Sequence, residues 1–160
     1  MPASSGTSAA PSRSPSCSTT GLEREVGADG VHVGQDDAPV SLARRILGPD
    51  AIVGLSTHGA DDLAAAASED VNYISAGPVE PTPTKPGRPG TGLGYATVAS
   101  TRSVVPVFVT GGVTPERIPA LAAAGVRHFV VVRFLTQALD ATAAARALRD
   151  AIDAALARAA

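Results

Sequence analysis

Residues 105–125 read VPVFVTGGVTPERIPALAAAG. A short run of β-branched and aromatic residues ends in two glycines, and an alanine-rich amphipathic stretch follows. The run is too short for a helix and predicts a strand. Thr114 and Pro115 form an N-cap and first-turn pair, and Gly125 stands where a helix closes in the left-handed conformation. The stretch therefore predicts strand, glycine turn and helix in direct succession.

The same unit recurs on either side. Strands are expected at DGVHV (29–33), AIVGLS (51–56), VNYISAG (71–77), VPVFVTG (105–111) and HFVVVRF (128–134). Helices are expected near 39–47, with Pro39 opening the first, and near 61–68, 92–102, 115–124 and 140–159. Strand and helix in strict alternation define parallel α/β architecture, and the nearly continuous apolar strands predict cover on both faces. A doubly wound sheet and a (β/α)8 barrel both fit, but a barrel needs eight units and only five are legible. The expected fold is α/β, an incomplete TIM (β/α)8 barrel of about five C-terminal βα units. Residues 22–160 would form this partial barrel, and residues 1–21 a disordered or misassigned segment.

Composition narrows the partner class. The 160 residues are 44% hydrophobic with a formal net charge of -2, and their charges are interspersed, so neither a nucleic-acid surface nor a polybasic membrane patch is expected. A small-molecule partner remains. Cys17 is the single cysteine, which excludes an intramolecular disulfide and multi-cysteine metal sites and fits a cytoplasmic setting. No apolar stretch approaches the roughly 20 residues that cross a bilayer. The serine-rich opening MPASSGTSAAPSRSPSCSTT has an organelle-leader composition but no amphipathic or continuous apolar face, so it reads as disordered.

Polar residues gather where the strands end: GQDD (34–37), STH (56–58), PTPTKPGR (81–88), GGVT (111–114) and TQ (136–137). In a barrel those ends share the face that carries the chemistry. GGVTPE is an ordinary strand-to-helix turn or a phosphate cradle of backbone N–H groups; in the second reading Gly111, Gly112, Leu135 and Thr136 are adjacent donors, because late barrel loops commonly hold phosphate. Asp36 and Asp37 either cap a helix or offer a carboxylate to Mg²⁺ beside a phosphate. PTPTKPGR is an exposed linker or a phosphate loop, with Lys85 a compact cation and Thr82 and Thr84 donors on a backbone that Pro81, Pro83 and Pro86 stiffen. His32 and His128 are expected as packed or hydrogen-bonded core residues. His58 lines the site or caps a helix.

Taken in order, DGVHVGQDD, GLSTH, AGPVEPTPTKPGRPGTGLG, GGVTPERIPALAAAG and VVVRFLTQA resemble the thiamine-phosphate synthase (thiamine-phosphate pyrophosphorylase) family from about Glu23 onward. The resemblance implies a barrel that joins hydroxymethylpyrimidine diphosphate to thiazole phosphate with Mg²⁺, releasing pyrophosphate and giving thiamine phosphate. It further implies Asp37 as metal ligand and Ser56 and Lys85 as catalytic contacts to the pyrimidine diphosphate. Thr82, Pro83 and Thr84 correspond to thiazole-phosphate contacts, and Gly112, Leu135 and Thr136 to the rest of that cradle.

Three departures accompany the resemblance. The family's Gln-x-Arg-x-Lys diphosphate motif is absent from these residues, Cys17 and Ser18 stand where an Asn-Asp pair is expected, and Glu80 replaces an aromatic or apolar residue. The expectation that follows is a truncated chain with little or no synthase activity, with open barrel edges prone to self-association and its start misassigned. A thiazole tautomerase of the same superfamily and a non-catalytic phosphate-binding remnant are the alternatives, and the intact PTPTK favours the synthase.

Overall fold

The computed structural model describes residues 27–82 and 89–159. Five strands alternate with helices: β1 (Gly30–Val33), α1 (Val40–Leu47), β2 (Ile52–Thr57), α2 (Ala60–Ala66), β3 (Tyr73–Ala76), α3 (Gly92–Arg102), β4 (Val107–Val109), α4 (Ile118–Ala123), β5 (His128–Phe129), α5 (Arg133–Thr136) and α6 (Ala141–Arg158). All pairings are parallel, and the spatial order is the chain order, β1-β2-β3-β4-β5. A doubly wound sheet reverses its strand order at a switch point. Here there is no reversal, and right-handed crossovers therefore place successive helices on the same side, as in a barrel wall.

That side holds the core. Val31, Val33, Val53, Ile74, Ala76 and Val109 are buried against Val40 and Ala43 of α1, Ala96 and Ala99 of α3, Ile118 and Leu121 of α4 and Leu148 of α6. The alternate residues His32, Tyr73, Ser75 and Phe108 are only half-buried, and His128 is exposed. The expectation of cover on both faces holds for β2 alone, whose residues 53–57 are all buried. β1, β3 and β4 alternate instead, because their second face carries rings and hydroxyls.

Differences at element ends have local causes. α4 starts at Ile118, three residues after Pro115: Thr114 C=O accepts from the N–H of Arg117 and Ile118, so Pro115–Arg117 forms a turn, and Pro119 occupies the first helical turn, where its missing donor is not needed. β5 stops at Phe129, short of the expected residue 134, because the partner β4 ends at Val109. Val130 N–H still reaches Val109 C=O at 2.9 Å, after which the chain winds into α5, an element the sequence pattern hid inside an apolar run.

At the opposite end of the strands Arg44 fastens α1 to the sheet. Its guanidinium donates to the C=O of Asp70 (2.9 Å) and Ala51 (2.5 Å) and to Asn72 Oδ1 (2.7 Å). This is the end that serves stability rather than chemistry in such folds. No helix among the described residues is long and apolar enough to cross a membrane. The expected N-terminal segment lies outside the described residues.

Candidate functional site

The C-terminal ends of β1 and β2 are stitched together by side chains. After β1 the chain turns at Gly34, whose N–H donates to Asp37 Oδ2 at 2.7 Å, while Asp37 N–H returns to Gly34 C=O. Asp37 is thereby fixed by one carboxylate oxygen in an exposed loop. Its neighbour Gln35 donates through Nε2 to Ser56 C=O at 2.6 Å, which ties the loop to the end of β2. Ser56 itself is 9% exposed, and its Oγ lies 2.9 Å from His32 Nε2. The other ring nitrogen, His32 Nδ1, lies 3.0 Å from Tyr73 Oη. His58 does not cap α2 with its side chain: the N-cap is Gly59, His58 N–H donates to Asp62 Oδ2, and the His58 ring contacts Gly77 C=O at the end of β3.

The rings form a row across the sheet. His32 stacks on Tyr73 at 5.4 Å, Tyr73 meets Phe108 edge-on at 5.2 Å, and Phe108 meets His128 at 4.8 Å. Gly54 makes the first contact possible. It lies between His32 and Tyr73 in register, and a Cβ there would overlap the Tyr73 ring and fall 2.5 Å from His32 Nδ1. The two histidines thus make hydrogen bonds as expected, but on the face opposite the core; His128 Nδ1 contacts Val107 C=O at 3.3 Å.

A second assembly joins β3 and β4. Val79 N–H donates to Thr110 C=O at 2.8 Å, and Pro78 packs on Gly111 so closely that a Cβ on that glycine would lie 2.5 Å from Pro78 Cβ. Gly112 is equally confined: its Cβ would meet Glu80 Cγ at 2.8 Å. Both glycines have positive φ, 90° and 70°. The turn therefore needs glycine twice over, for conformation and for space. Glu80, the unexpected residue in this loop, forms an ion pair with Arg117 beside Gly112. The far end of the loop returns to the same place, because Thr91 N–H bonds Pro78 C=O and Gly92 N–H bonds Val79 C=O. Its two ends are clamped together, as in an Ω-loop.

Of the residues expected at a phosphate, Gly112 sits against the base of this loop, and Thr82 is the last described residue before the segment 83–88. Pro83, Thr84 and Lys85 lie outside the described residues. In α5 the N–H groups of Leu135 and Thr136 both bond Val132 C=O, at 3.0 and 2.9 Å. Those two amides are committed to the helix, the Leu135 side chain packs on the core, and Thr136 presents an exposed hydroxyl. The expectation of Leu135 and Thr136 as main-chain donors meets that competition. Sequence reasoning missed Gln35, Tyr73 and Arg117. Tyr73 carried a signal in hindsight, since it and His32 share one strand face, but only the register across β2 brings them together.

A cavity of about 320 Å3 lies elsewhere, between the ends of α4 and α6, lined by Pro119, Ala122, Ala155 and Arg158 among others. It is at the end of the strands away from Ser56 and Gly112, and of its two arginines Arg127 already donates to the C=O of Ala122, Val126 and Ala159.

Consecutive parallel order, helices on one side and polar groups at the strand ends place the chain in the barrel-type α/β class. The sequence pattern of the family described as thiamine monophosphate synthase matches residues 19–135, and the chain belongs to that family. The thiamine-phosphate synthase of Mycobacterium tuberculosis (strain CDC 1551 / Oshkosh) is 49% identical over 136 residues, covering 84% of this chain and 61% of that protein. That of Mycobacterium sp. (strain KMS) is 50% identical over 127 residues, 79% of this chain and 56% of the relative. The chain thus spans about three fifths of the length of the curated relatives it matches. Among solved structures, thiamine phosphate pyrophosphorylase from Pyrococcus furiosus superimposes with a TM-score of 0.74 at 27% identity, over 84% of this chain and 64% of that one. A 3-hexulose-6-phosphate synthase gives 0.58 at 29% identity, over 82% and 65%.

Proposed function

We propose that this chain carries the thiazole-phosphate cradle and part of the diphosphate site of a thiamine-phosphate synthase. The reaction joins hydroxymethylpyrimidine diphosphate to thiazole phosphate: the bond from the pyrimidine methylene to the diphosphate oxygen breaks, and a bond to the thiazole nitrogen forms. The observation that supports this most is the packing of Gly111 and Gly112 against Pro78 and Glu80, which holds the glycine turn beside the described start of the loop that leads to Thr82. Thr82, Pro83, Thr84 and Gly112 would hold the thiazole phosphate with the exposed Thr136 hydroxyl, and Leu135 would serve only to place Thr136, since its own N–H bonds Val132 C=O and its side chain packs on the core. Ser56 and Lys85 would contact the diphosphate, Lys85 stabilising its charge as it leaves.

Mg²⁺ is the family's expected cofactor, and Asp37 fits it in kind. One oxygen of its carboxylate is held by Gly34 N–H, the residue is exposed at a strand end, and Mg²⁺ is commonly bound by one or two carboxylates plus phosphate oxygens and water. Mg²⁺ held there by Asp37 would also take phosphate oxygens of the substrate and water as ligands. When bound, Mg²⁺ supplies charge neutralisation for the departing pyrophosphate. The protein's own part is to hold Asp37 rigid through Gly34 and to couple it to Ser56 through Gln35.

The test is calorimetric titration of this chain with pyrophosphate, with and without Mg²⁺. Binding is expected to depend on Mg²⁺ and to weaken by about tenfold or more in Asp37→Asn, the loss of one charge-assisted contact. Equal affinity in the variant would remove Asp37 from the site.

A further inference from the structure

We propose that Tyr73 is a positioning residue: it fixes the tautomer of His32 and so makes the Ser56 hydroxyl a donor toward the diphosphate. The inference rests on the assignment of Ser56 to the diphosphate given above. Its geometry is a chain of three side chains from three adjacent strands, with Tyr73 Oη 3.0 Å from His32 Nδ1 and His32 Nε2 2.9 Å from Ser56 Oγ.

A neutral imidazole has one N–H and one bare nitrogen, so the two bonds must run in the same direction along the chain. Either Tyr73 donates to Nδ1 and Nε2–H donates to Ser56, or Ser56 donates to Nε2 and Nδ1–H donates to Tyr73. A phenol decides between them, because it is more acidic than an aliphatic hydroxyl and its oxygen lone pairs are partly delocalised into the ring. Tyr73 is the better donor and the poorer acceptor. His32 then carries its proton on Nε2, Ser56 Oγ accepts it, and the Ser56 hydroxyl proton is released from the histidine.

The nearest alternative partner for that proton is weak. Ser75 Oγ lies 3.5 Å from Ser56 Oγ, at the outer limit of a hydrogen bond, and is placed there as a donor to Ser56. The Gln35 amide engages the Ser56 carbonyl and leaves the hydroxyl alone. A nine-tenths-buried hydroxyl with its lone pair occupied and its proton to give is suited to an anionic oxygen arriving at the strand ends. The sequence commits a glycine to this arrangement, since any side chain at position 54 would separate the two rings.

The chain has only three histidines, His32, His58 and His128, so their ring nitrogens can be assigned individually by nitrogen-15 NMR. At neutral pH the His32 signals are expected to show the Nε2–H tautomer, and in Tyr73→Phe a shift toward the mixed or Nδ1–H form. Pyrophosphate affinity, measured with Mg²⁺ present, is expected to fall about two- to tenfold in Tyr73→Phe, the range for one lost hydrogen bond, and at least as far in Ser56→Ala. An Nδ1–H tautomer in the unmodified protein would overturn the proposal, and needs no variant to fold. A tautomer that moves in Tyr73→Phe without any change in pyrophosphate affinity, while Ser56→Ala weakens binding, would overturn it too. If Ser56→Ala also leaves affinity unchanged, the failure lies in the assignment of Ser56 to the diphosphate, and the inference falls with it.

Discussion

Gly112 shows how one residue can be required for two independent reasons. Its φ of 70° lies where a side chain is strained, and Glu80 occupies the space a Cβ would need. Gly112→Ala is therefore expected to cost about 1–2 kcal/mol in denaturant unfolding, from backbone strain alone. It should also push Glu80 and Arg117 off the turn and abolish measurable binding of thiazole phosphate. Unchanged stability and binding would show that the turn tolerates rearrangement. The glycine pair was legible in the sequence because the demand for positive φ is local. Tyr73 and Arg117 were not, because their partners His32 and Glu80 stand 41 and 37 residues away and meet only through strand register and loop packing.

Elements were legible to the extent that their ends are chemically marked. Helix α3 matches the expected range residue for residue, and α4 closes as Gly125 required, with Gly125 N–H on Ala122 C=O and Val126 N–H on Leu121 C=O. The start of α4 and the end of β5 were not legible, since a second proline and the length of a neighbouring strand set them. α3 buries two hydroxyls, those of Tyr95 and Ser100, that find no hydrogen-bond partner among the described residues; beside Tyr95, the Thr57 hydroxyl donates to Ser75 C=O. Burial pushes the phenol above its ordinary value near 10, outweighing what Thr57 offers. A raised folded value means stability that is intact below the unfolded value and lost as pH climbs through the folded one. Tyr95→Phe is accordingly expected to raise stability by about 1 kcal/mol and to flatten its decline above pH 10, read by urea unfolding across pH. A destabilised variant would reveal a partner for the hydroxyl.

At the scale of the whole molecule, order and handedness carry the account. Five parallel strands in chain order bring the loops after β1, β2, β3, β4 and β5 to one end of the sheet, and the residues expected to handle phosphate and diphosphate lie in or beside those loops. The described side chains divide into two assemblies there: Asp37, Gln35, Ser56, His32 and Tyr73 around β1 to β3, and Gly111, Gly112, Glu80 and Arg117 around β3 and β4. The contacts proposed for the thiazole phosphate are all present in these 160 residues, whereas the Gln-x-Arg-x-Lys motif that the resemblance implies for the diphosphate is not among them. The most direct measurement is the unfolding temperature of this chain with thiazole phosphate, with hydroxymethylpyrimidine diphosphate plus Mg²⁺, and with neither. Ligand that binds only the folded state stabilises it by mass action. Thiazole phosphate is expected to raise the midpoint clearly and the diphosphate to raise it less. A midpoint that neither ligand moves, at concentrations where inorganic phosphate is also inert, would contradict the assignment of this face to the phosphates.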